Sequence, residues 1–298
     1  FLQTKISDGT DQVAIYYPEV ISGAKFMLPG LKYKIGADAS LWSKLDFVSL
    51  MLALFLGTAA LPHILIRYYT VKTPRDARKS TILAIAAIGG FYILTLFIGL
   101  GAGVNGVMDV ESSNMAAPLL AKAFGAVLFS IISAVAFATV LGTVAGLIVA
   151  SSGAIAHDFI DIYLKKNLTD DKKVKAGKIA AVVVGVIAIL LGMAFKGINV
   201  SFLVGWAFAI AASANLPAIL FLLFWKRTSA TGISASIVVG IIASLAIILT
   251  SPTMWDKYGL GAENAMHQME NPALISFPLA VLTVYMFSIL YPKNENKV

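Results

Sequence analysis

The sequence predicts an all-α polytopic membrane protein, and three observations carry that expectation. Of 298 residues, 58% are hydrophobic and only 13% are charged, where a soluble domain has about a quarter of its residues charged; mean hydropathy is +0.84. Seven runs lack Asp, Glu, Lys and Arg and, His63 apart, also lack His: 47–66, 81–104, 123–156, 179–195, 197–225, 228–255 and 271–292. A helix crosses a hydrocarbon core of roughly 30 Å with about 20 such residues. The runs are rich in Ala, Gly, Ile, Val and Leu without strict alternation, which favours helices over barrel strands. In the last two runs the spans themselves are placed at about 228–250 and 272–291.

In chain order, residues 1–45 are polar and hold no span, so they form an expected extracytoplasmic segment ahead of a transmembrane domain over 46–292 and a tail over 293–298. The chain opens on Phe1 with no signal-peptide pattern, as expected if it starts within a longer protein. The first span carries an interruption in GTAALPHILIRYYTV (57–71), followed by ARKS. Gly57 and Pro62 are the residue types that weaken helices most. Pro62 has no N–H, so the Thr58 carbonyl four residues earlier loses its helical partner, and an acceptor is freed about halfway along the span.

The third span contains FATVLGTVAGLIVASSGAIAHD (137–158). Thr139, Gly142, Thr143, Gly146, Ala150 and Gly153 recur every three or four residues and therefore share one helix face. Small residues so spaced serve close helix packing; the two threonines serve either packing or a hard cation, which takes hydroxyl and carbonyl oxygens. Residues 156–164 are expected to continue this helix as an amphipathic end at the membrane surface. The fifth span, WAFAIAASANLPAILFLLFWKR (206–227), repeats the first span's device, since Pro217 releases the Ser213 carbonyl and Asn215 lies between them as the most polar side chain of the run. Two proline-broken helices with polar groups at mid-span suit a transport path.

Composition excludes several classes. The chain has no Cys, which removes disulfides and thiolate metal sites. No carboxylate lies within any run and His63 is the one imidazole there, so an intramembrane enzyme has no nucleophile, base or metal set to work with. His63, alone, is read as a packed residue ahead of a proton carrier. The net charge of +7 implies no nucleic-acid partner, because in a membrane chain the distribution of Lys and Arg matters more than their sum.

The three quoted stretches resemble the solute:sodium symporter family, most closely its cation/acetate (monocarboxylate) branch, with similarity from about residue 45 to 226 and in family order. The resemblance implies a LeuT-type inverted-repeat fold, of which this chain is the later portion, with the first span as the broken helix opening the second repeat. It also implies that the third span supplies Na⁺ ligands: the family's adjacent hydroxyl pair falls on Gly142 and Thr143, and Thr139 falls where a carbonyl contributes. Gly142 departs from the pattern in having no side-chain oxygen. The implied activity is cation-coupled symport of a small organic solute such as acetate, with Na⁺ as coupling ion and H⁺ as the alternative, no other cofactor, and Gly57, Thr58, Pro62, Ser213 and Asn215 along the substrate path. The implied partners are the solute, the bilayer of the cell's inner membrane, an N-terminal transporter half and a small membrane subunit. A membrane sensor module with this fold, or an incomplete half-transporter, are the competing readings.

Loops 67–80, 157–178, 226–227 and 293–298 hold 15 Lys and Arg, against 8 in the opposite set, so the positive-inside rule places the first set and the C-terminus in the cytoplasm and the N-terminal segment outside. A reporter fused after Val298 is therefore expected to read as cytoplasmic, and one placed within 105–113 as external. The reverse labelling would invert the topology.

Overall fold

The computed structural model describes residues 2–6, 12–16, 35–65, 68, 70–107, 113–164, 169–198 and 200–292, without side-chain detail at 2–6, 12–16 and 161–163. Among them, seven helices are long and apolar enough to cross a membrane, as the seven runs predict. The chain begins with an antiparallel ribbon, β1 (Leu2–Ile6) and β2 (Gln12–Tyr16), in which Thr4 faces Ala14. This pair of strands lies in the segment expected to be polar and free of spans. The tail 293–298 lies outside the described residues.

The helices are α1 (Leu41–Thr58), α2 (Pro62–Leu65), α3 (Pro74–Val104), α4 (Ala116–Ala123), α5 (Ala126–Gly153), α6 (Asp170–Ala194), α7 (Val200–Phe224), α8 (Ala230–Leu249), α9 (Pro252–Lys257) and α10 (Ala273–Leu290). Caps explain several ends that hydropathy misplaces. Thr73 accepts from Asp76 N–H at 3.2 Å and donates to Asp76 Oδ2 at 2.7 Å, with Pro74 at the first helical position, so α3 starts seven residues before the apolar run. The run 123–156 is divided by Gly125, whose φ of 129° suits only glycine, leaving α4 as a separate short helix. The run 228–255 is likewise divided by the Ser251 cap, which starts α9. The expected amphipathic end of the third span is a π-helical continuation of α5 over Ala154–Tyr163.

Packing falls into two groups. Helices α1, α7, α8 and α10 form a bundle with α7 in contact with the other three, while α5 packs on α4, α6 and its own π-helical extension. The helix α2 touches α5 and so joins the groups. The core is built from small residues: Ala53, Ala209, Ala212, Ser213, Ala273 and Ala280 are fully buried. Lipid tails are as apolar as Leu, so association inside a membrane relies on close fit and hydrogen bonds. The buried positions of α8 show the pattern, since Gly232, Ser236, Gly240 and Ser244 recur every four residues and Ser236 Oγ donates to the Ala280 carbonyl of α10 at 2.9 Å. By contrast α3 exposes Ile85, Phe91 and Phe97, an exterior suited to hydrocarbon.

Gly57 has a different role from the one expected. It is helical within α1, and the interruption comes after it, at 59–61. A Cβ at Gly57 would lie 2.5 Å from the Phe208 carbonyl oxygen and 2.8 Å from its Cα, so the glycine permits backbone contact between α1 and α7. Gly57→Ala is expected to cost about 1–3 kcal/mol through overpacking, read as a lowered thermal midpoint in detergent. Gly142→Ala, where a Cβ meets nothing within 4 Å, serves as the control that leaves the midpoint unchanged. Equal midpoints for the two variants would refute the close-contact role.

Candidate functional site

The break in the first span is real and has a defined partner. Helix α1 ends at Thr58, Ala60 N–H donates back to the Gly57 carbonyl at 2.9 Å, and Ile64 and Leu65 N–H both bond the Leu61 carbonyl as α2 begins. Pro62 thus opens a new helical turn, a position where its missing N–H costs nothing. The Thr58 side chain turns back on its own helix, Oγ1 donating to the Leu54 carbonyl at 2.6 Å. From α7, Asn215 Nδ2 donates to the Ala60 carbonyl at 3.1 Å. The most polar side chain of the fifth span therefore satisfies an acceptor exposed by the break in the first. His63 sits half-buried on α2.

Ser213 is placed elsewhere. It is fully buried, its hydroxyl shares a 2.6 Å hydrogen bond with Ser276 of α10, and Ser276 in turn donates to the Pro272 carbonyl at 2.9 Å. A Cβ at Gly240 of α8 would collide with the Ser213 carbonyl, so the acceptor that Pro217 releases is covered by a neighbouring backbone. Ser213 and Asn215 consequently serve different contacts, one inside the bundle and one at the α1–α2 break.

The small face of α5 is open. Thr139, Gly142 and Thr143 are exposed, and a Cβ at Gly142, Gly146 or Gly153 would meet nothing within 4 Å. Thr139 Oγ1 donates to the Val135 carbonyl at 2.8 Å and Thr143 Oγ1 to the Thr139 carbonyl at 2.9 Å. Each hydroxyl spends its proton within the helix and keeps its lone pairs outward. An oxygen in that state accepts or ligates; it does not donate. Among the described residues no group of three His, Asp or Glu gathers as a metal site, so any cation here would rely on neutral oxygens.

A polar cluster at the opposite end of the bundle was not read from the sequence. Asp46 Oδ1 accepts the N–H groups of Glu270 and Asn271, both at 2.7 Å, and Oδ2 accepts Asn271 Nδ2 at 3.0 Å. Ser49 Oγ donates to the Asn271 carbonyl at 2.6 Å and accepts Leu274 N–H at 3.0 Å. Trp206 Nε1 donates to the Glu270 carbonyl at 2.8 Å, and Glu270 Oε1 takes both the N–H and the hydroxyl of Thr253, at 3.0 and 2.8 Å. The N-termini of α1 and α10, the first turns of α7 and the start of α9 are thereby tied together. Burial pushes the Glu270 carboxyl above its ordinary range, the Thr253 bonds pull it back, and the neighbouring Asp46 charge pushes it up again.

Comparison with known proteins bears on the whole arrangement. A family model described as the sodium:solute symporter family matches residues 10–240. The chain is 44% identical over 277 residues to the uncharacterized symporter YwcA of Bacillus subtilis, covering 90% of this chain and 52% of that protein. It is also 44% identical over 272 residues to a monocarboxylic acid transporter of Corynebacterium glutamicum, covering 88% and 49% respectively. The chain thus spans about half the length of these curated relatives. No solved structure matches it.

The Glu270 environment has a pH consequence. A carboxyl whose folded value is raised above 4.5 holds its proton more tightly in the folded state, so its stabilising contribution is complete below that value and is lost as pH rises through the raised one. Glu270→Gln keeps an oxygen for Thr253 and removes the titration. The thermal midpoint of the variant is therefore expected to gain on wild type as pH rises from 4.5 towards neutrality, and a difference that stays flat with pH would refute it.

Proposed function

Since the chain belongs to the sodium:solute symporter family, we propose that it moves a small organic solute by cation-coupled symport, with Na⁺ as the ion and a short monocarboxylate such as acetate as the solute. The monocarboxylate reading is supported by the similarity to the monocarboxylic acid transporter of Corynebacterium glutamicum. In this reading the chain acts with a further transporter half of the kind its longer relatives have room for, and the fold is the later portion of the inverted-repeat architecture. The N-terminal segment faces outward and the C-terminus lies in the cytoplasm of an inner-membrane protein.

The observation that carries the reading is the state of Thr139 and Thr143. Two hydroxyls one turn apart, both back-bonded to their own helix, present oxygens to one side of α5, a helix that also touches α2. Gly142 between them adds backbone alone. Such a face fits a desolvated hard cation better than an anion, which would need donors. The α1–α2 break lies between Thr58 and Pro62, with Gly57 against Phe208 on one side and Asn215 holding the Ala60 carbonyl.

Coupling is tested by acetate uptake into vesicles carrying the intact transporter, measured against external Na⁺. Loss of one ligand to a desolvated ion costs about 1–3 kcal/mol, or one to two decades in affinity. Thr143→Ala is expected to raise the Na⁺ concentration for half-maximal uptake by that factor at unchanged expression, while Thr143→Ser stays near wild type. A Thr143→Ala curve that overlays wild type would remove Thr143 from the ion site and favour H⁺ coupling.

A further inference from the structure

The far end of α7 carries a groove that the transport reading does not use. Trp225 extends the last turn, its N–H donating to the Phe221 carbonyl at 2.9 Å. Its indole stacks on Tyr285 of α10 with ring centroids 5.3 Å apart and planes 26° from parallel, and Phe221 meets it edge-on at 5.3 Å and 88°. With Leu220 and Phe224 these rings line a cavity of about 430 Å³. Phe224 is 81% exposed, so the groove opens outward from the bundle. Thr228 Oγ1 closes the turn below it by donating to the Phe221 and Trp225 carbonyls at 2.9 and 2.7 Å.

Directly after Trp225 come Lys226 and Arg227, both exposed. Neither cation forms an ion pair with a described carboxylate. The arrangement is therefore an apolar slot open to the hydrocarbon side, two amphipathic rings at its mouth, and two uncommitted positive charges beyond them. Trp and Tyr settle at the level of lipid headgroups, and Lys or Arg just past a span attracts anionic lipid. A soluble anion would gain nothing from the slot, and a zwitterionic lipid would gain little from the charges.

We propose that this groove seats an anionic phospholipid of the adjacent leaflet, with an acyl chain along Leu220, Phe221 and Phe224, the glycerol region beside Trp225 and Tyr285, and the phosphate held by Lys226 and Arg227. Occupancy clamps the ends of α7 and α10 together through the Trp225–Tyr285 stack. The site is independent of the ion face on α5.

The chain has four Trp, so the signal of Trp225 is isolated as the difference in fluorescence between wild type and Trp225→Phe, reconstituted in bilayers with increasing brominated phosphatidylglycerol or brominated phosphatidylcholine. Each interfacial cation favours the anionic lipid by about fivefold, so half-maximal quenching of the Trp225 component is expected at a several-fold lower mole fraction of phosphatidylglycerol. Combined Lys226→Gln and Arg227→Gln brings the two lipids level. Phe224→Ala, which removes a wall of the slot, weakens quenching by both and keeps their ratio. Equal quenching by the two lipids in wild type overturns the anionic selectivity, a preference that survives the double substitution overturns the role of the cations, and Phe224→Ala quenching identical to wild type overturns the slot.

Discussion

Everything else in the bundle is arranged around the backbone contact between α7 and its neighbours. Two glycines let it happen, Gly57 of α1 against Phe208 and Gly240 of α8 against the Ser213 carbonyl, while Gly205 of α7 makes room for the side chains of Leu50 and Asn271. In water, burying large apolar side chains would draw helices together; in hydrocarbon that force is absent between them, and what is left is dispersion at short range and hydrogen bonding. The buried residues of α7 are accordingly mostly alanines with a serine and a glycine, joined by Trp206, Leu216 and Pro217. Its large side chains Leu222, Leu223 and Phe224 point outward.

Hydrogen bonds across the bundle answer part of what the helix breaks expose. A carbonyl without a helical donor is costly in a membrane, where no bulk water replaces the lost bond. The break after α1 leaves the Ala60 carbonyl to Asn215, while the Ser213 carbonyl opposite Pro217 lies against the α8 backbone at Gly240, a contact that supplies no N–H. The Asp46 cluster treats the other end of the bundle in the same way. It accepts the N–H groups of Glu270 and Asn271 in the loop that enters α10, and Ser49 beside it accepts Leu274 N–H, one of the donors that a helix N-terminus leaves unpaired.

The helices were legible in the sequence because a membrane span is defined by what it lacks, and an uncharged run of 20 residues has few other readings. Their ends were less so. The Thr73–Pro74–Asp76 cap moves the start of α3 into a stretch that charge alone assigns to a loop, and α6 begins at Asp170 although its apolar run begins nine residues later. Local signals existed for both, in capping residues, but hydropathy outweighed them. Gly57 was read for its freedom when its value lies in its size, a distinction that needs the neighbour Phe208, some 150 positions away in the chain. The Asp46–Glu270–Asn271 cluster was missed for the same reason: its members lie at the edges of runs counted by their lack of charge, and nothing local pairs them. The four-residue repeat of Gly232, Ser236, Gly240 and Ser244 is a local signal of the same kind as the stripe on α5.

Those two stripes make the sharpest comparison, because the same sequence signal has two structural outcomes. On α8 the hydroxyl of Ser236 donates across to Ala280 of α10, and its glycines are pressed against neighbouring backbone; small size is used for contact. On α5 the hydroxyls of Thr139 and Thr143 donate inward to carbonyls of their own helix, and the glycines beside them touch nothing within 4 Å. Thr in place of Ser restricts χ1 through its branched side chain and holds the oxygen in one place. Donation to the helix's own carbonyls is shared by buried Thr283 and Ser276 of α10, so the two stripes differ in what lies against them: neighbouring backbone on α8, and on α5 nothing within 4 Å of its glycines.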